Sequence, residues 1–224
     1  MKRLTAGLAT GLALAAMRLA IAADARPAFD GVWQIATPVT SLKTADGRWP
    51  PLLPEARKLY VERMRLHRAG KAGQYDNTYR CQPMGDPRTM YEGKPFEIVQ
   101  GQDAIAFSYT WDRMVRFIYV KNRQGDAPGP AYYGNWVGKW EAETLVLDGI
   151  GFNESTLLDA SGMPHGEDLH LVQRLTLKHG GNQLEVRTHF EDRSTFSAPW
   201  DTVQTYHKLA GAMIAEDSCL QRSR

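Results

Sequence analysis

The feature that most constrains the fold is a series of short strand-like segments separated by turns, with no long helix between most of them. Apolar residues alternate with polar or small ones, as in the run Ile105–Tyr109, and this is the period of a half-buried strand. Gly180-Gly181-Asn182 is a hairpin signal between two such segments. The pattern predicts an all-β protein whose antiparallel sheet closes into a barrel. The predicted strands are 29–35, 96–100, 105–109, 114–120, 136–140, 144–150, 169–177, 183–190 and 202–209.

One helix is predicted between the first two strands, over residues 51–69. Apolar side chains recur there at intervals of three to four residues, and Gly70 follows the last turn. The opposite face is rich in Lys and Arg, which favours a solvated outer face over a membrane-binding one. The apolar positions are Leu52, Ala56, Leu59, Tyr60 and Met64.

The first residues have the layout of a secretory signal peptide. Two basic residues precede an apolar core, Leu4–Ala16, and small residues at Ala20 and Ala22 occupy the positions that a signal peptidase recognises. The sequence therefore predicts that residues 1–23 are removed on export to the periplasm or outside the cell. Residues 24–224 then form a single domain, since a chain of this size can enclose one core.

The charge of the mature chain bears on its partners. Residues 1–23 contain three of the 27 basic residues and none of the 25 acidic ones, so their removal changes the formal net charge from +2 to about −1. Because no basic patch is interleaved with aromatic residues, nucleic acid is not expected as a partner. No later segment reaches the ~20 apolar residues that span a membrane, so a membrane partner is not expected either. The pattern leaves the oligomeric state open.

The two cysteines, Cys81 and Cys219, predict one disulfide. An even pair in an exported chain is most simply a bridge, because the compartments outside the cytoplasm are oxidising. This bridge closes a long loop, for which the chain-entropy model gives about 4–5 kcal/mol. A nucleophilic or metal-binding cysteine is the less favoured alternative.

Polar residues within the strand patterns are candidate ligand contacts. Arg116 shares a strand face with apolar Met114 and Ile118, and a buried guanidinium must be paired. It either holds an internal carboxylate or contacts a ligand. Tyr109 shares a face with Ile105 and neighbouring apolar positions. Arg116 and Tyr109 are therefore predicted to bind substrate in a mostly apolar cavity with few polar anchors.

His170 and Arg174 lie on the strand face opposite a row of leucines. If the leucines pack outward, both polar residues face the barrel interior, and Arg174 joins the predicted substrate-binding residues. If the leucines form the core, both residues are on the surface. The sequence pattern leaves this choice open.

The segment 158–170 gathers the best candidates for chemistry, since it places His165 and His170 among carboxylates that include Asp159. In one interpretation Asp159 orients a histidine that transfers a proton as the general acid or base. In a second, His165, Glu167 and His170 bind a metal. Their spacing lacks the helical register of the zinc-protease motif, so no metal or other cofactor is predicted. In a third, these side chains only stabilise the loop.

Four ordered motifs resemble a group of exported bacterial proteins of unassigned function. The group is similar to lipocalins, and Gly31-Val32-Trp33 resembles the G-x-W that opens lipocalin barrels. The resemblance implies a lipocalin-like (calycin-like) barrel and an exported protein, and it carries no catalytic residues to transfer. The motifs are Cys81–Arg88, Pro95–Gln100, Val137–Val146 and Leu158–His170.

Two functions are therefore expected. The first is a cofactor-free lyase or isomerase that uses acid–base catalysis on a small, largely apolar or aromatic molecule. Its predicted catalytic residues are His165, His170 and Asp159, with Arg116, Tyr109 and Arg174 as substrate-binding residues. The alternative is a non-catalytic carrier that binds a small hydrophobic ligand in the same cavity.

Overall fold

The fold is a closed barrel of nine strands that are neighbours in sequence order, with β1 paired to β9. A computed structural model describes residues 26–120, 129–215 and 217–219. The nine predicted strands and the barrel are confirmed, and the predicted signal peptide, residues 1–23, lies outside the described residues. The strands are β1 (Gly31–Ile35), β2 (Phe96–Gln100), β3 (Ala104–Tyr109), β4 (Val115–Tyr119), β5 (Asn135–Glu141), β6 (Thr144–Ile150), β7 (His170–Lys178), β8 (Gln183–Glu191) and β9 (Trp200–Leu209).

Strand pairing is antiparallel at every seam of the barrel except one. β4 and β5 are parallel, with Ile118 opposite Trp136. β5 therefore begins at the same end of the barrel as β4, and the predicted antiparallel order holds for the remaining pairs. Parallel neighbours need a crossover connection instead of a hairpin, and the 15 residues between β4 and β5 are long enough for one.

Side-chain alternation along the strands fills the barrel. On β7, Leu171, Gln173 and Leu175 are buried, whereas Arg174 between them is exposed. The leucines therefore form the core, and His170 and Arg174 lie on the outer face of the barrel. The interior is rich in aromatic side chains, and Phe96 contacts the rings of three others.

The helix α1 (Pro54–Arg68) confirms the helical prediction. Proline at its first position has no amide to leave unpaired, and Gly70 adopts φ +70° just after its end, a conformation that favours glycine. Tyr60 is buried, and Ala56 and Met64 pack against the core. Leu59, predicted on the apolar face, is 43% exposed. Among the described residues, no helix is long and apolar enough to cross a membrane.

The long connections gather at one end of the barrel, here called the capped end: residues 36–95, 110–114, 151–169 and 192–199. Backbone hydrogen bonds join these connections, such as Ser161 N to Thr40 O at 2.9 Å and Leu53 N to Thr195 O at 2.9 Å. The predicted disulfide between Cys81 and Cys219 is confirmed. It ties the C-terminal tail to the capped end.

Candidate functional site

His165 is buried in the connection after β6, and both of its ring nitrogens are engaged. Nδ1 lies 2.9 Å from the carbonyl oxygen of Gly166, which can only accept, so Nδ1 carries the proton. Nε2 lies 2.8 Å from the Thr156 hydroxyl. Burial lowers the pKa of His165, so the ring is neutral and Nε2 faces the Thr156 hydroxyl, whose single proton is shared between Nε2 and the Asn153 carbonyl oxygen at 2.9 Å. Because His165 is 6% exposed and Thr156 covers Nε2, the ring offers no open nitrogen to a substrate.

Asp159 holds the capped end together. Its Oδ2 accepts from the Tyr60 hydroxyl at 2.6 Å and from the Leu42 amide at 2.9 Å, and its Oδ1 accepts from the Met163 amide at 3.0 Å. Burial raises the pKa of Asp159, and these hydrogen bonds offset part of that rise. Its carboxylate therefore binds α1 and two loop amides, whereas the sequence predicted that it orients a histidine.

His170 and Arg174 lie on the outer face of the barrel. His170 is between two carboxylates, with Nε2 3.3 Å from Asp148 and Nδ1 3.3 Å from Glu191. Arg174 pairs with Glu141 at 2.8 Å. Neither side chain faces the barrel interior, so the structure does not bring the two predicted histidines together.

Arg116 lies inside the barrel, 2% exposed, and holds an internal carboxylate. Its Nη1 forms an ion pair with Asp86 and donates to Gln173 at 3.1 Å. The guanidinium lies between two aromatic rings, with Cζ 4.2 Å from the Phe107 centroid and 4.7 Å from that of Trp136. The structure therefore shows the first of the two roles considered for Arg116, internal pairing.

Tyr109 joins the same buried group by donating to Asp86 at 3.2 Å. Burial raises the pKa of Asp86, and Arg116 and Tyr109 offset part of the rise. Tyr109 also lines a small void of about 10 Å³, roughly the space of one water molecule. Tyr109 is thus the predicted binding residue that lines a void next to a larger cavity.

A cavity of about 350 Å³ lies at the capped end, beside the C-terminal end of α1. It shares Met84, Glu92 and Trp111 with the small void that Tyr109 lines. The apolar part of its wall comes from Ala72, Met84, Trp111, Ala160 and the disulfide-bonded Cys219. The polar part comes from His67, Asp76, Thr78, Tyr79, Arg88 and Glu92.

A buried ionic group borders this cavity. Arg88, with a side chain that is 5% exposed, donates from Nη2 to Asp76 at 2.8 Å and from Nε to Glu92 at 2.7 Å. Burial alone would raise the pKa of Asp76, but Arg88 and Thr78 outweigh it and the pKa is lowered. Asp76 and Glu92 raise the pKa of Arg88 despite its burial. Asp76 and Arg88 are therefore both charged at neutral pH.

His67 is the histidine that lines the described cavity, and its environment differs from that of His165. The Tyr75 hydroxyl donates to the carbonyl oxygen of Ala160 at 3.2 Å, so its oxygen accepts from Nδ1 of His67 at 3.4 Å. Burial raises the pKa of Tyr75 to about 12, which keeps the hydroxyl protonated. No described residue hydrogen-bonds to Nε2, which keeps its lone pair.

The predicted segment 158–170 contributes to this arrangement through its backbone. The Ala160 carbonyl oxygen accepts a hydrogen bond from the Tyr75 hydroxyl, and Gly162 adopts φ +95°. A Cβ atom at Gly162 would lie 2.7 Å from a ring carbon of Tyr75, so glycine allows the ring to approach. The segment therefore positions the partner of His67.

The sequence pattern did not indicate His67 or the Arg88 group. His67 falls seven residues after the buried Tyr60 and three after Met64, so the helical period could have placed it on the packed face of α1. No comparable signal marks Asp76, Arg88 and Glu92, since they lie in short 3-10 turns and loops, where no long period applies. Within the described residues, no group of three or more His, Cys, Asp or Glu side chains is arranged to hold a metal ion.

Comparisons with known proteins add no relatives. No protein-family model matches the chain, and no curated protein matches it significantly. The resemblance to an exported lipocalin-like group therefore stays a prediction.

Proposed function

We propose that this protein is an exported, cofactor-free lyase or isomerase that applies acid–base catalysis to a small, largely apolar or aromatic molecule. The observation that carries the proposal is the unengaged Nε2 of His67 beside a cavity of about 350 Å³. That volume falls in the range of small-molecule sites, which combine apolar walls with few polar groups.

His67 takes the role that the sequence assigned to His165 and His170. A general base needs a lone pair within reach of the substrate, and imidazole is the side chain that most often supplies one. Tyr75 holds the Nδ1–H tautomer in place and leaves Nε2 as the basic atom. His165 has no such atom free, and His170 lies on the outer face of the barrel.

Apolar and aromatic groups in the wall favour a substrate of the same character. Met84 is 2% exposed, and Ala72 and Trp111 belong to the same apolar part of the wall. Burying an apolar ligand against such groups is favourable by roughly 25 cal/mol per Å². These apolar walls equally favour the alternative function, a carrier that binds a small hydrophobic ligand without converting it.

The test is a screen of lignin-derived aromatics, terpenoids and steroids that records both binding and turnover. For a compound that is converted, His67→Gln is expected to lower kcat by about 10²–10⁴-fold while the dissociation constant changes little. His207→Gln, at an exposed position on β9, is the matched control and is expected to leave kcat unchanged.

Two outcomes would reject the catalytic proposal. Unchanged kcat in His67→Gln would remove His67 from the reaction. Tight binding of a compound without conversion by the wild-type protein would leave the carrier function.

A further inference from the structure

Arg88 has hydrogen-bond donors that its ion pairs do not use. A guanidinium carries five N–H groups, and Nε and Nη2 supply the bonds to Glu92 and Asp76. Nη1 bonds to no described residue, and it is not fully buried. Because Arg88 is only 4% exposed and lines the cavity, the cavity is where Nη1 meets open space.

The charge of Arg88 is already balanced. Asp76 and Glu92 both pair with its guanidinium, so the three groups carry one excess negative charge. Arg63 lies within electrostatic reach of Asp76 and offsets part of that excess. No unmatched positive charge among these groups therefore favours an anionic ligand, although the N–H groups of Nη1 still favour an oxygen acceptor.

We propose that the cavity takes an uncharged molecule with a carbonyl group, whose oxygen accepts from Nη1 of Arg88. This inference rests on the proposed use of the cavity and names its substrate class. A carbonyl oxygen presents two lone pairs in one plane, which suits the planar N–H donors of a guanidinium. The aromatic and aliphatic walls accommodate the rest of the molecule.

A carbonyl also gives His67 a proton that it can remove. Nε2 takes a proton from the carbon next to the carbonyl, and the electron pair of that C–H bond forms the C=C bond of an enolate. The negative charge that develops on oxygen is stabilised by the Arg88 N–H donors. The protonated His67 then returns the proton to the same carbon or to another carbon of the conjugated system, which balances the reaction without a further reactant.

Three probes of similar size test the ligand class on the wild-type protein. Acetophenone has the carbonyl oxygen, ethylbenzene lacks it, and 4-acetylbenzoate adds a negative charge. Acetophenone is expected to bind at least about tenfold more tightly than either of the others, the effect of one hydrogen bond from a charged donor. Equal binding of the ketone and the hydrocarbon, tighter binding of the carboxylate, or no binding of the ketone would each overturn the proposal.

The variant Arg88→Lys keeps a positive charge near Asp76 and Glu92 and removes Nη1. With folding checked by circular dichroism, the variant is expected to bind acetophenone and ethylbenzene about equally. A preference retained in the folded variant would overturn the assignment to Arg88. If the variant does not fold, the three-probe comparison on the wild-type protein still decides the ligand class.

Deuterium exchange separates this inference from the proposed function. In D₂O the wild-type protein is expected to incorporate deuterium into the methyl group of acetophenone, and His67→Gln is expected to lose that activity. A preference for the ketone without exchange would uphold the ligand class and reject acid–base catalysis by His67. Exchange without a preference for the ketone would uphold acid–base catalysis by His67 and reject the ligand class.

Discussion

His165 and His67 lie at the same end of the barrel, yet their ring nitrogens are used differently. Both nitrogens of His165 are engaged, by Gly166 and Thr156, in a buried loop. His67 uses one nitrogen, through Tyr75, and lines a cavity with the other unengaged by the described residues. The comparison teaches that carboxylates close in sequence do not make a histidine available for chemistry. An imidazole with both nitrogens engaged stabilises structure, and only a ring nitrogen that reaches open space can exchange a proton with a ligand.

The largest effect is expected from removing the disulfide, which borders the cavity that His67 lines. Replacing Cys81 and Cys219 together with serine opens a bridge between residues 138 positions apart, so the free energy of unfolding should fall by about 4–5 kcal/mol. Because Cys219 lines the cavity, ligand affinity should fall as well. Chemical denaturation and a binding titration measure the two effects, and a loss of stability below about 1 kcal/mol would contradict the account.

His165→Gln is expected to lower stability by about 1–3 kcal/mol at pH 8, because Thr156 and Gly166 lose a buried partner. Burial lowers the pKa of His165, so below the ordinary value of about 6.5 the unfolded chain binds more protons here than the folded protein does. The stabilising contribution is therefore full above about pH 6.5 and is lost as the pH falls.

Urea denaturation of wild type and His165→Gln at pH 8 and pH 5 measures this dependence. The stability difference between the two proteins should narrow at pH 5. A difference that stayed constant or grew at pH 5 would show that His165 is not held neutral in the fold.

The smallest effect is expected at His170, on the outer face of β7. Its side chain is 32% exposed between Asp148 and Glu191, and surface substitutions of this kind change stability by no more than about 0.5 kcal/mol. His170→Gln should therefore leave thermal unfolding and ligand turnover close to wild type. A large loss of turnover with normal stability would restore the catalytic role that the sequence predicted for His170.

The barrel could be predicted because it depends on local patterns. Short strand-like runs between turns marked every strand, and the leucines of β7 needed only the closed barrel to settle which face is inside. Buried pairing was also foreseeable for Arg116, because an unpaired guanidinium in an apolar interior is too costly. Its partner Asp86 lies 30 residues away in irregular structure, where no periodicity applies.

The site could not be predicted from spacing in the same way. Asp159 and His165 lie close together in the sequence, but Asp159 accepts a hydrogen bond from Tyr60, 99 residues away. His67 acquires its orientation from Tyr75 and, through it, from Ala160, 85 residues from Tyr75 along the chain. Such contacts form only when the long connections meet at the capped end, so the sequence indicated one segment beside the candidate site and did not indicate His67.

Acylation of histidines by diethyl pyrocarbonate tests whether Nε2 of His67 is open while both nitrogens of His165 are engaged, because the reagent attacks an unprotonated imidazole nitrogen that is accessible. Peptide mass spectrometry at neutral pH follows His67 and His165 in the same sample. His67 is expected to react at least about tenfold faster, since His165 must first open locally, and a bound cavity ligand should protect His67 while leaving exposed His207 reactive. Equal rates at His67 and His165, or an unreactive His67, would contradict the account.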